Sequence, residues 1–175
     1  MMKLFRTVIL LLFVTSCAPI YVNYDFEKGT DFSQYKTYNY YSDMQTGLSE
    51  LDTKRLLDAL DLQMKAHGFT LSDTPDFFID IKSQEIQQVQ RNTVGVGVGG
   101  GGRNVGGGIS IGLPIGQAII NRQIIFDFVD EKNNKGLFWQ AVSESSFKPN
   151  AVPEKREVHF NNIVKKVMDK YPPKS

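Results

Sequence analysis

The sequence predicts an α+β fold, a two-layer domain in which a mostly antiparallel sheet of about five to six strands carries two helices on one face and a glycine-rich hairpin or loop. Three observations carry this. Several segments alternate apolar and polar residues with a period of two, as where Ile20, Val22, Tyr24 and Phe26 interleave with Tyr21, Asn23, Asp25 and Glu27. Two others space their apolar residues for a helix face: Leu56, Leu57, Leu60 and Met64, then Phe160, Ile163, Val164, Val167 and Tyr171. Their order is β β α β, a glycine-rich stretch, then β β α, which suits an antiparallel sheet backed by two helices.

The first segment is an address. Lys3 and Arg6 precede an apolar run, Val8 to Val14, of seven residues, whereas a helix needs about 20 to span a bilayer. Val14, Thr15 and Ser16 lead straight into Cys17, the only cysteine of the 175 residues. This is similar to a bacterial lipoprotein signal. The resemblance implies that residues 1–16 are removed and that Cys17 becomes the acylated first residue. Two or more acyl chains hold a protein stably on a bilayer where one does not. A single cysteine also excludes an internal disulfide or a thiolate zinc cluster. Residue 18 is Ala and not the Asp that retains some lipoprotein precursors at the inner membrane, so the expected location is the outer membrane, facing the periplasm. Residues 17–19 form the lipidated tether, and residues 20–173 a single domain. Loss of the signal removes two cations from a chain whose formal charge is +1. That balance offers no basic field for nucleic acid.

Ile20 to Phe26 is the first strand, Lys28 to Asp31 a turn, and Tyr35 to Tyr41 an aromatic second strand. Asp52 reads as the N-cap of a helix of about four turns, with Gly68 after His67 as its C′ residue. Phe77, Ile79 and Ile81 alternate with Phe78, Asp80 and Lys82 in a third strand that runs on into Gln84–Gln90. Between Thr93 and Gly116 fall eleven of the fifteen glycines. Val94, Val96 and Val98 precede Gly100–Asn104, and Ile109 and Ile111 follow it. We read two strand-like arms with one bare glycine face, tipped by Arg103 and Asn104. Ile124 to Val129, a polar turn Asp130–Gly136, and Leu137, Trp139 and Ala141 form a hairpin, which Ser143–Phe147 continues or frays. Pro153 opens the last helix, with Glu154 and Glu157 early and Lys165, Lys166 and Lys170 late, as the helix dipole favours.

With this order in view, the chain resembles the lipoprotein family catalogued as domain of unknown function 4136. The resemblance rests on Val22-Asn23-Tyr24-Asp25, Asp31 to Tyr38, the helix running into Gly68-Phe69, Pro75-Asp76-Phe77-Phe78-Ile79, the glycine-rich middle, Phe126 to Asp130 with Trp139, and the end at Tyr171-Pro172-Pro173. In the family a small or basic residue and then glycine tend to follow the tryptophan, where this chain has Gln140-Ala141. The resemblance implies the fold and the compartment. It brings no assigned activity.

Candidate chemistry is sparse. Gly95 to Gly100 has the letters of a dinucleotide fingerprint, but no helix opens after it and no βαβ unit follows. His67 and His159 lack metal-ligand spacing; His67 suits a helix end, and His159 reads as solvent-facing. Asp76 with Asp80, and Asp127 with Asp130, are paired carboxylates of a kind that can divide acid and base roles, though strand alternation makes them surface groups. Ser145, Ser146 and His159 offer a nucleophile and a base without a nucleophile elbow. Trp139 reads as core. The sequence therefore points away from an enzyme and requires no cofactor. It points toward an anchored interaction or assembly module, with membrane lipid as the partner of Cys17 and an envelope protein or a second copy as the partner of the glycine-rich hairpin. A ligand-binding or hydrolytic cleft between sheet and helices is the alternative.

Overall fold

Alternation along the chain assembles six strands into one sheet: β1 (Ile20–Phe26), β2 (Thr37–Tyr40), β3 (Thr70–Leu71), β4 (Phe77–Ile86), β5 (Ile120–Asp130) and β6 (Gly136–Phe147). The computed structural model describes residues 19–86, 120–133 and 135–173. The strand order is β1-β6-β5-β4-β2-β3. β1, β6, β5 and β4 pair antiparallel. β2 departs from the antiparallel expectation and runs parallel to both β4 and the short β3. The reason is the connection: a helix separates β2 from β4, and such a crossover returns the chain in the same direction.

That helix, α1 (Glu50–Ala66), is capped by Ser49 and not by Asp52, because the extended backbone of Ser49 lets its hydroxyl accept from the Asp52 amide. Asp52 lies one turn in and is buried. At the other end Gly68 adopts φ +85°. The amide of Phe69 then reaches the Met64 carbonyl at 2.9 Å and that of Gly68 the Lys65 carbonyl at 3.1 Å, the double bond of a Schellman ending. The start of α1 is docked on β4 by the preceding loop, where Ser83 N–H donates to the Thr46 carbonyl at 2.7 Å. Gly47 is required there, since its φ is +70° and a Cβ would lie 2.8 Å from the Ser83 carbonyl oxygen.

α2 (Pro153–Met168) carries Pro at its first position. It ends before Tyr171, which is buried in the turn beyond. Both helices cover the face presented by Phe77, Ile79 and Ile81 of β4, Ile124, Phe126 and Phe128 of β5, and Trp139 and Ala141 of β6. The pairing of β5 with β6 shifts register after Phe128, which faces Trp139 while Val129 faces Leu137. Phe138 is the extra residue of this β-bulge. It turns inward, its ring 4.2 Å from that of Tyr35 and nearly parallel to it. Leu137, expected in phase with Trp139, is turned out to solvent. Tyr35, Phe77, Phe128, Phe138, Trp139 and Tyr171 fill the layer between sheet and helices with successive ring contacts.

Candidate functional site

The register places Ile20, Ser145, Arg122 and Glu85 side by side across four strands. At this end of the sheet β1 begins, β4 ends at Ile86 and β5 starts at Ile120. Cys17, its motif partners Val14, Thr15 and Ser16, and the hairpin residues Val94, Val96, Val98, Arg103, Asn104, Ile109 and Ile111 lie outside the described residues. The described chain nevertheless fixes where both segments join the domain. They join at the same end.

The helix side of that end holds the densest polar cluster of the described fold. Arg122 follows the inward phase of Ile124 and Phe126, so a guanidinium is carried under the helices and is only 9% exposed. Its Nη2 donates to Glu85 Oε1 at 2.7 Å, and its plane lies 3.7 Å over the Phe147 ring. Arg156, in the first turns of α2, lies over the same ring at 5.4 Å. It also donates to Asp52 Oδ2 at 2.6 Å and to the backbone carbonyls of Ala151 and Pro149. Arg55 donates to the other Asp52 oxygen at 2.8 Å. One carboxylate thus joins the starts of both helices, and one ring carries two cations, an arrangement of cation–π contacts in a largely dry setting.

Ser145 Oγ and His159 Nε2 are 3.2 Å apart in the same cluster. His159 therefore faces the sheet and not solvent, because it lies one helical turn before Ile163 on the buried stripe. Burial, and then the charge of Arg122, hold its imidazolium below the ordinary pKa of 6.5. A serine and a neutral imidazole at this distance are the raw materials of nucleophile activation. The access is wrong for it. Ser145 is only 5% exposed, and the depression of about 300 Å³ that it borders with Pro19 is otherwise lined by Tyr21, Asn121, Glu144 and Ser146, which alternate with it onto the opposite face of the sheet. We assign the pair to packing. Its titration has a consequence for stability. The unfolded chain protonates this group near pH 6.5 and the folded chain only below that, so the unfolded state binds more protons in between. Stability is thus complete above pH 6.5 and falls as pH drops below it. Urea midpoints measured from pH 8 to pH 5 are expected to decline in this window, and His159→Gln is expected to flatten that part of the curve.

The carboxylate pairs come apart. Asp76 accepts the backbone N–H groups of Lys36 and Thr37, each at 3.0 Å, which ties β2 to β4. Asp130 is fully buried and accepts from Asn133 N and Nδ2 at 2.8 Å and Tyr35 Oη at 3.0 Å. Burial pushes both carboxyls up, and the hydrogen bonds outweigh it and leave them below the usual range. The structure instead brings Asp80 beside Asp127 across the strands, on the uncovered face. Lys82 pairs with the first at 2.6 Å and Gln140 donates to the second at 2.7 Å. They line an open groove of about 520 Å³ with Tyr41, Asp43 and Leu137. Among the described residues no three His, Cys, Asp or Glu side chains gather as metal ligands would, and no described helix is long and apolar enough to cross a membrane. His67 takes the helix-end position, its Nδ1 2.8 Å from the Gln63 carbonyl oxygen.

The sequence profile described as "Domain of unknown function (DUF4136)" matches residues 22–173. The crystal structures that resemble the fold include two with TM-scores above 0.5. One is a PDZ domain protein from Parabacteroides distasonis, 15% identical, with TM-score 0.56 over 99% of this chain; the chain spans 40% of that protein's length. The other is a DUF4136 family protein from Bacteroides thetaiotaomicron, 13% identical, with TM-score 0.55 over 87% of this chain and 96% of that one. At these identities the likeness concerns the fold alone. No curated protein sequence matches the chain.

Proposed function

The chain belongs to the DUF4136 family, and from that premise we propose that it is a lipid-anchored module of the cell envelope that works by binding another protein. The anchor is an acylated Cys17, and the location is the periplasmic face of the outer membrane. The observation that carries the reading is β1. It is an edge strand, it starts three residues after Cys17, and it leaves Tyr21, Tyr24 and Phe26 exposed. An edge strand presents unpaired backbone groups to a partner strand, and exposed aromatics supply anchors for its side chains. Among the described residues, aromatic rings pack the layer between sheet and helices, which favours this reading over a cleft there.

The glycine-rich hairpin is the second element of this reading. β4 and β5 keep one register from Phe78 opposite Val129 to Ile86 opposite Asn121. Beyond it the sequence keeps the two-residue period, with Val94, Val96 and Val98 before Arg103 and Asn104 and Ile109 and Ile111 after them. That pattern supports a one-sided apolar surface as a second contact for a partner.

In-cell photocrosslinking tests the proposal. A photoreactive residue at Tyr24 or Asn104 is expected to yield a discrete adduct, and one at the exposed Asp73, beside the opposite end of the sheet, none. A doubled mass would identify a second copy. Absence of adducts at both positions would refute the interaction reading.

A further inference from the structure

We propose that the end of the domain containing the starts of β1, α1 and α2 is a lipid-contact surface, with Leu51 and Val152 seated among the headgroups of the bilayer. This rests on the reading of Cys17 as the anchored residue. The three features are joined by contacts already described. Ile20 lies beside Ser145, two residues before Phe147. Phe147 lies under Arg156 of α2, and Arg156 binds Asp52 of α1.

The start of α2 breaks a local rule. Val152 occupies the N-cap of α2 and makes no side-chain capping bond, at a position where Ser, Thr, Asp or Asn is favoured. It is 52% exposed. Leu51, in the first turn of α1, is 65% exposed. The Asp52–Arg156 ion pair brings these two aliphatic side chains to one end of the helical layer. Together they give this end of the helical layer an apolar tip of the kind that can enter the headgroup–acyl boundary.

The tether identifies the partner. Three residues from Cys17 to Ile20 reach at most about 10 Å when extended, so an acylated Cys17 holds this end against the bilayer. The opposite end stands off, because the nine steps of β4 from Phe77 to Ile86 carry the chain about 30 Å. The cations of this end face carboxylates, Arg122 with Glu85 and Arg55 and Arg156 with Asp52, while Glu50 and Glu154 accompany Lys54 and Lys155 in the first turns of the helices, so the attraction is apolar burial at the interface and not a basic patch on anionic lipid.

Depth-resolved spin labelling decides this. The chain from Cys17 to Ser175 is coupled through Cys17 to a maleimide phospholipid and inserted into phosphatidylethanolamine–phosphatidylglycerol vesicles. A ketone-bearing amino acid replaces Leu51, Val152, Leu62 or Leu71, one at a time, and receives a nitroxide. All four positions are exposed, and Leu71 lies at the opposite end of the sheet, in register with Tyr38. On vesicles the labels at Leu51 and Val152 are expected to lose their collisions with a water-soluble nickel chelate and to gain collisions with oxygen. Those at Leu62 and Leu71 should not change. Immersion of Leu62 or Leu71 instead, or unchanged nickel collisions at Leu51 and Val152, would overturn the assignment. So would shielding of Leu51 and Val152 before vesicles are added, which would mark a contact with the chain itself or with a second copy. The mass of membrane-extracted protein reports natural acylation of Cys17 separately, because the coupled lipid supplies the tether whatever that mass shows.

Discussion

Replacing Phe138 by alanine is expected to lower the unfolding free energy by about 3 to 5 kcal/mol, the range for truncating a buried aromatic residue, while Leu137→Ala stays within about 0.5 kcal/mol. Plain alternation in β6 predicts the reverse, because it places Leu137 with Trp139 in the core and Phe138 on the outer face. The bulge after Phe128 exchanges them. Phe138 has no exposed surface and contacts Tyr35, Phe77 and Phe128 at centroid distances of 4.2, 5.5 and 6.3 Å. Its loss opens a void bordered by rings that cannot collapse far, which places the cost high in the range. Since domains of this size are stable by only about 5 to 15 kcal/mol, the variant should show a much lower urea midpoint with an unchanged slope. Equal midpoints for the two variants would mean that β6 is regular.

What the sequence made legible follows from which features are local. β1 has the bounds read from alternation, and both helices fall where the apolar stripes lie, because one buried face imposes its period on the residues that form it. Features set by pairing were not legible. The bulge depends on how β6 meets β5, and nothing in Gly136–Gln140 alone marks Phe138 as the extra residue. The direction of β2 depends on where the chain re-enters after α1. Asp52 reads as a cap because Ser49 and Asp52 are both good capping types three residues apart, and only the arginine of a distant helix shows what the carboxylate does. Two residues of the cluster do carry a local signal. Arg122 shares the inward phase of Ile124 and Phe126, and a charge in phase with a buried face calls for a partner. His159 lies four residues before Ile163, at the margin of the helix stripe.

The largest polar effect is expected at that carboxylate. Asp52 is 2% exposed and holds Arg55 and Arg156, each about a fifth exposed, at 2.8 and 2.6 Å. Asp52→Asn preserves the shape and removes the charge, which leaves the Arg55 and Arg156 guanidiniums without their counter-ion, the second of them sharing the Phe147 ring with Arg122. Breaking a buried pair in this way costs about 3 to 5 kcal/mol. The partial exposure of both arginines lets water recover some of it, so we expect a loss of about 2 to 4 kcal/mol by urea denaturation. The double variant Asp52→Asn with Arg156→Met removes one of the two uncompensated charges and should lose less than Asp52→Asn alone. A double variant that loses the sum of both single losses would mean that the ions act independently. The same substitution reaches the proposed function, because Asp52 ties the first turn of α1 to that of α2. If Leu51 and Val152 meet the bilayer as one surface, loosening this tie should reduce the immersion of a label at Leu51 under conditions where the variant remains folded, and leave a label at Leu71 as it was.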